Sequence, residues 1–269
     1  YERTRTFIPA SVFDNQILLD NDPDYVAILG SLPEAERKAL LYGDWNSFSG
    51  QVFAEFRNNP EGYESRRWTH VIKPFEIPKH WRRYRSFDFG YSKPFAVQWW
   101  AVDTEGRVYL YRELYGCTKD PDTGVKWEPS RIARKIKDIE NEFEKGNTII
   151  GIADPAIWDE SSPANMMERH GIYFDKGDNT RLSGKMQMHY RMAFDEEGYP
   201  MLYVFDTCKD TIRTIPALVY DETRVEDVDT RGEDHLYDTA RYFLMSDPIE
   251  ARPLPSEQLQ GIPELDINW

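Results

Sequence analysis

The stretch Arg85-Ser86-Phe87-Asp88-Phe89-Gly90 decides the fold, because it is the first of three short strands predicted in close succession. Residues 95–102 follow as a second strand, rich in aromatic and β-branched side chains. A turn at residues 103–106 leads into a third strand at residues 107–115. The sequence therefore predicts a meander of three strands, with Asp88 at the end of the first one.

Helices and further strands follow this meander. Pro129 begins a helix with one apolar stripe, and Gly146 ends it. Residues 148–153 are almost all apolar, which is typical of a buried central strand, and Asp154 follows them. Later residues predict helices at 163–169, 184–193 and 234–245 and a strand at 201–205. This order predicts an α/β fold, a ribonuclease H-like mixed β-sheet flanked by helices.

Composition limits the classes of function. The 269 residues carry a net charge of −14, which by itself argues against a nucleic-acid-binding protein. Yet residues 62–93 hold eight basic and three acidic side chains, whereas residues 219–238 hold eight acidic and two basic ones. The acidic cluster fits either a solvated loop or a metal site, and composition cannot choose between them. No apolar run is long enough for a membrane-spanning helix, so we expect no membrane contact.

Three aspartates stand at the ends of predicted elements. Asp88 ends the first strand, Asp154 follows the apolar strand, and Asp238 lies one turn into the last helix. Carboxylates in such places can converge, and divalent cations such as Mg²⁺ bind several oxygen ligands. Two such ions stabilise both the attacking and the leaving oxygen of a phosphodiester. Each aspartate is equally explained as a turn residue or a helix cap, so both interpretations stay open.

His235 and Asp238 are three residues apart on the last predicted helix and share a face, as do Asp234 and Asp238. His235 could bind a metal, orient an acid or transfer a proton. Alternatively, Asp234 only caps the helix and His235 is an ordinary surface or core histidine.

The motif His235-Leu236-Tyr237-Asp238-Thr239-Ala240-Arg241-Tyr242 is the most specific in the chain. Together with Phe87-Asp88-Phe89-Gly90, Ile152-Ala153-Asp154 and Gly43-Asp44-Trp45, it resembles the C-terminal part of large terminase subunits of tailed bacteriophages. The resemblance covers roughly residues 5–246.

This resemblance implies a metal-dependent endonuclease that cuts double-stranded concatemeric viral DNA during genome packaging into the procapsid. Asp88, Asp154 and Asp238 would bind two Mg²⁺ or Mn²⁺ ions, with His235 in or beside the site. Basic residues between the second and third aspartates would contact the DNA; the candidates are Lys176, Arg181 and Lys185.

The resemblance also implies a division of the chain. Residues 1–60, a short helical appendage, would be the end of an ATPase domain and its linker, residues 61–250 the nuclease domain, and residues 251–269 a C-terminal tail. The chain lacks a phosphate-binding-loop motif, so we expect no ATPase activity from it. It begins with Tyr1, and we expect it to be part of a longer protein. Portal protein and small terminase subunit would be partners in that full-length context, in the host cytoplasm and not in the mature virion.

Three other functions stay open at the level of the sequence. A resolvase- or transposase-type nuclease would keep the same fold. A non-catalytic structural module of the packaging machine would keep the acids as remnants. A carbohydrate-active enzyme would use paired carboxylates on a glycan.

Overall fold

The computed structural model describes residues 11–22, 25–30, 32, 34–43, 50–158, 162–247 and 249. The chain separates into two compact units, of which one comprises Tyr1–Gly50 with Glu250–Trp269 and the other Gln51–Ile249. None of the helices in the described part of the chain is long and apolar enough to cross a membrane.

The described residues of the first unit form three short helices, α1 (Gln16–Asn21), α2 (Tyr25–Gly30) and α3 (Glu34–Tyr42). Helix α3 ends at Tyr42, and Gly43 after it adopts the left-handed conformation (φ 70°) that closes many helices. Asp44 and Trp45 of the motif Gly43-Asp44-Trp45 lie outside the described residues.

The second unit is built on a seven-stranded sheet with the strand order β1-β7-β4-β3-β2-β5-β6. Its strands are β1 (Val71–Ile72), β2 (Arg82–Asp88), β3 (Ala96–Val102), β4 (Val108–Tyr115), β5 (Ile149–Ala153), β6 (Asp175–Lys176) and β7 (Leu202–Phe205). Strands β2, β3 and β4 pair antiparallel, which confirms the predicted meander. The remaining pairs are parallel, so the sheet is mixed as predicted.

The helices of this unit are α4 (Pro129–Phe143), α5 (Pro163–Glu168), α6 (Arg181–Met192), α7 (Lys209–Thr214) and α8 (His235–Ser246). All four helices predicted after the meander are present, and α6 begins three residues earlier than expected. Helix α7 and the strands β1 and β6 were not predicted. The two strands have only two residues each, which is too short to show a hydrophobic period.

The core lies on both faces of β3, in which every residue is buried. On one face, Trp100 stacks on Phe243 of α8, with ring centroids 4.7 Å apart. On the other face, the indole N–H of Trp99 donates to Glu140 of α4 at 3.0 Å. The sheet is therefore the middle layer between α8 and α4.

Strand β5 is present where predicted, but the expectation of complete burial is wrong for its first half. Ile150 is 41% exposed, whereas Ile152 and Ala153 are buried. The neighbouring strand β6 pairs only with Ile152 and Ala153, so the beginning of β5 lies beside no further strand in the described part of the sheet. The apolar run therefore predicted the strand correctly but overestimated how much of it is buried.

Acid should destabilise this unit through His70. This ring is fully buried; Nδ1 accepts from the Arg57 N–H, and Nε2 lies 2.8 Å from the Met192 carbonyl. Burial lowers the pKa of His70 to about 4. The unfolded chain therefore binds a proton that the folded chain excludes, and stability should fall between about pH 6.5 and 4, by at most about 1.4 kcal/mol per pH unit.

Urea unfolding between pH 7.5 and 5 measures this slope. His70→Gln should make it shallower, and His80→Gln, at an exposed histidine, should leave it unchanged. An equal slope in wild type and His70→Gln would contradict the assignment.

Candidate active site

Two of the predicted aspartates lie side by side at one edge of the sheet. Strands β2 and β5 run parallel, with Phe87 opposite Ala153, so Asp88 and Asp154 follow at the same end. The backbone N–H of Asp154 donates to the Phe87 carbonyl at 3.1 Å, which extends the ladder by one residue. The Asp154 carboxylate also accepts from the Ala156 N–H, so it serves as a turn residue as well.

Helix α8 brings the other predicted residues to these strand ends. It packs on β2, β3 and β5. At its first residue, His235 Nδ1 lies 3.2 Å from Asp88 Oδ2. The second ring nitrogen, Nε2, lies 3.2 Å from Oδ1 of Asp122, a residue of the loop between β4 and α4. His235 is thus held between two carboxylates.

Asp234 is a further acid of this cluster. It precedes α8, but its side chain makes no capping hydrogen bond, and the residue is only 4% exposed. The interpretation of Asp234 as a simple helix cap is therefore wrong. Its carboxylate instead lies within electrostatic range of Asp88 and Asp238.

Burial and like charges oppose ionisation of these acids. Burial raises the pKa of Asp88 to about 6, and the charges of Asp238 and Asp154 add to the rise, against the hydrogen bond to His235. Burial and the charge of Asp238 likewise raise the pKa of Asp234. Burial alone would lower the pKa of His235, but its contact with Asp88 prevails and raises it to about 9.

Two arginines contact the Asp238 carboxylate and offset its negative charge. Arg241, one turn further along α8, donates from Nε and Nη2 at 3.1 and 2.9 Å. Arg181, the first residue of α6, lies 3.5 Å from the same carboxylate oxygen and donates more closely to Asp227, at 2.7 Å. Helix α6 therefore stabilises the position of Asp238 through charge.

The chemistry of the cluster fits a divalent cation, whereas the ligands are not pre-arranged around one point. Oxygen ligands are what Mg²⁺ and Mn²⁺ prefer. A cation would also favour the ionised form of Asp88, whose pKa is raised by burial and by repulsion from Asp238 and Asp154. Among the residues that the structure describes, however, no group of three His, Cys, Asp or Glu side chains could hold a metal ion as it stands. The contacts of Asp238 with Arg181 and Arg241 are both made by its Oδ1 atom.

The three predicted DNA contacts differ in their surroundings. Lys176 is exposed in β6, opposite Ala153 in the register, and its Nζ lies 5.5 Å from the centre of the Trp158 ring. Arg181 is partly exposed beside Asp238. Lys185 is only 2% exposed and donates to the Glu226 carbonyl at 2.5 Å. Because a buried ammonium group with a carbonyl partner cannot reach a phosphate, the prediction of Lys185 as a DNA contact is wrong.

Two residues of the site were missed in the sequence. Asp122 lies in a Pro-Asp-Thr-Gly turn, where an aspartate is usually a turn residue, and nothing in the sequence indicates its contact with His235. Arg241 stood within the most specific motif, and its spacing of three from Asp238 on a helix was the available signal.

No protein-family model matches this chain, and no curated protein sequence matches it either. Solved structures do. The large terminase of a thermophilic bacteriophage, solved in complex with ADP, aligns with a TM-score of 0.64 at 19% identity, over 88% of this chain and 54% of that one. The P22 large terminase nuclease domain aligns with a TM-score of 0.53 at 18% identity, over 71% of this chain and 91% of that domain.

These similarities establish the fold. The mixed sheet flanked by helices is the ribonuclease H-like fold of terminase nuclease domains, and the predicted resemblance to large terminases is confirmed at that level. The chain spans about half the length of the thermophilic phage enzyme, 54% of it.

Gly184→Ala should lower the stability of the fold, because the added methyl group would crowd Arg241, which holds Asp238 in place. A methyl group on Gly184 in α6 would lie 2.1 Å from Cγ and 2.4 Å from Cδ of Arg241, which is buried and cannot swing into solvent. Overpacking of this kind costs about 1–3 kcal/mol, offset by roughly 1 kcal/mol of helix propensity. Urea unfolding should therefore show a net loss of stability.

Gly232→Ala is the matched control, because a methyl group there would meet no atom within 4 Å. If both variants unfold at the same urea concentration as wild type, Arg241 is not fixed against Gly184.

Proposed function

We propose that this chain is a metal-dependent endonuclease that cuts double-stranded DNA in a phage-type genome-packaging machine. The observation that carries the proposal is the approach of Asp88 and Asp154, on adjacent strand ends, to His235 and Asp238 of the facing helix. The fold shared with the P22 large terminase nuclease domain supports it.

Asp88, Asp154 and Asp238 would hold Mg²⁺ or Mn²⁺, with two ions as the expected number. When bound, divalent cations supply an activated water and stabilise the oxyanions of a phosphodiester under attack. Asp234 adds a further carboxyl group to the same cluster. His235, against Asp88, orients that carboxylate. The positive charges of Arg181 and Arg241 offset the negative charge of Asp238 near the other acids.

DNA would be bound mainly through its phosphates. Lys176 and Arg181 offer positive charge beside the acids. Phosphate contacts do not read bases, so little sequence preference is expected. With a net charge of −14, binding by this chain alone should be weak and sensitive to salt.

The proposal extends to the whole protein. Residues 1–60 would be the end of an ATPase domain and its linker, residues 61–250 the nuclease domain and residues 251–269 a tail. The substrate would be concatemeric viral DNA, cut as the genome is packaged into the procapsid. Portal protein and small terminase subunit would be the partners, in the host cytoplasm. This chain by itself should not hydrolyse ATP.

Cleavage of supercoiled plasmid tests the proposal. We expect nicking and linearisation with Mn²⁺ or Mg²⁺ and none with EDTA. Asp88→Asn and Asp238→Asn keep the side-chain shape but weaken metal binding, and each should lower the cleavage rate roughly 100-fold or more. Gel electrophoresis of the plasmid over time measures the rate.

Asp138→Asn is the matched control, because Asp138 is an exposed residue of α4 on the opposite face of the sheet. Equal cleavage by wild type and both site variants would contradict the assignment of the aspartates. Absence of both cleavage and metal binding, the latter measured by calorimetry, would favour a non-catalytic structural module. Preference for branched over linear DNA would favour a resolvase-type nuclease.

Lys176→Ala should weaken DNA binding without abolishing metal binding. Removing one phosphate contact lowers the slope of log affinity against log salt by about 1. Fluorescence anisotropy of a labelled duplex, titrated at several salt concentrations with Ca²⁺ in place of the catalytic metal, measures that slope. Lys135→Ala, at an exposed lysine of α4, should leave it unchanged. The same slope in Lys176→Ala and wild type would remove Lys176 from the DNA-binding surface.

A further inference from the structure

The loop between β4 and α4 approaches the site from outside the sheet. Within it, residues 116–125 form a short hairpin, in which the Thr118 N–H donates to Thr123 at 2.8 Å and the Val125 N–H to Gly116 at 3.0 Å. The hairpin is attached to the connection between β2 and β3, where the Gly124 N–H donates to Ser92 at 2.8 Å. Close packing there leaves no room for a side chain at position 124.

This hairpin also binds the segment that enters α8. The Cys117 thiol of the hairpin donates to the Glu233 carboxylate at 3.8 Å, and this carboxylate also accepts from Tyr115 and Arg213. Two residues after Glu233, the ring of His235 lies with its Nε2 3.2 Å from the Asp122 carboxylate. The hairpin therefore contacts the start of the helix through two side chains, those of Cys117 and Asp122.

The side-chain contact determines the orientation of one ring. An imidazole has two nitrogens on opposite sides, and those of His235 each lie 3.2 Å from a carboxylate, Asp88 on one side and Asp122 on the other. Both contacts are lost if the ring turns about its χ2 bond. All three side chains are at most 18% exposed, so water competes little for these contacts.

We propose that Asp122 is a positioning residue, which holds the His235 ring against Asp88 and so lets the hairpin of residues 116–125 set the geometry of the acidic site. The partner of a histidine's second nitrogen commonly fixes the ring in this way. The ion pair of Asp122 with Lys93 does not explain the arrangement. The Lys93 side chain is 57% exposed, and an ion pair of that kind contributes little. The effect on catalysis rests on the proposed endonuclease function, whereas the effect on the ring does not.

Three variants separate the carboxylate from the loop itself. Asp122 has a positive φ of 56°, which glycine and asparagine tolerate well. Asp122→Gly removes the carboxylate without backbone strain and leaves the contact of Cys117 with Glu233 in place. Asp122→Asn keeps an acceptor oxygen and should rescue part of the effect. Asp120→Gly, at an exposed residue of the same hairpin, is the matched control for added flexibility.

The first readout is the ¹⁵N NMR spectrum of the His235 ring in the metal-free protein, assigned with His235→Gln. We expect Asp122→Gly to shift the Nε2 resonance, Asp122→Asn to shift it less and Asp120→Gly to leave it in place. The second readout is plasmid cleavage, where kcat should fall about 10–100-fold in Asp122→Gly with an unchanged KM.

The outcomes distinguish the two proposals. An unmoved His235 resonance in Asp122→Gly would overturn the positioning role, whatever the nuclease does. A moved resonance in a protein whose wild type neither binds metal nor cleaves DNA would support the positioning role and contradict the endonuclease. A moved resonance with equal kcat in Asp122→Gly and wild type would overturn the claim that the hairpin sets the site.

Discussion

The parallel pairing of β2 with β5 is the constraint on which the site depends. It places Phe87 opposite Ala153, so two aspartates that are 66 positions apart in the chain become neighbours at one sheet edge. Helix α8 can then supply His235 and Asp238 because its apolar face packs on the same sheet, with Phe243 stacked on Trp100. A large aromatic contact two turns away thus holds the polar end of the helix over the strand ends.

The acids at this place reduce the stability of the unit that contains them. Burial and mutual repulsion raise the pKa of Asp88 and of Asp234, so their ionised forms are disfavoured in the folded chain. Two arginines and a histidine offset part of the repulsion. Carboxylates held where their ionised form is disfavoured are characteristic of functional sites, because a bound cation or substrate relieves the repulsion between them. A purely structural ion-pair network would instead match each acid with a base.

The distribution of charge also bears on the proposed nuclease function. The net charge of −14 repels DNA at long range, while the positive side chains identified beside the acids are few. The proposed endonuclease would therefore bind duplex DNA weakly by itself. The hairpin that carries Asp122 lies beside the acids, and loops of this kind are where a scaffold usually acquires its specificity.

Local patterns in the sequence were sufficient for the elements and for part of the site. The meander, the helix from Pro129, the final helix and the ribonuclease H-like order all followed from hydrophobic period, turn residues and length. The aspartates at element ends could be chosen because a strand end is visible in the sequence. What the sequence did not determine were contacts between distant segments: Asp122 against His235, Arg181 against Asp238, the burial of Lys185, and the exposed half of β5. Hydrophobic period reports only which face of an element is covered, whereas the partner of a polar side chain depends on which loops the tertiary fold brings beside it.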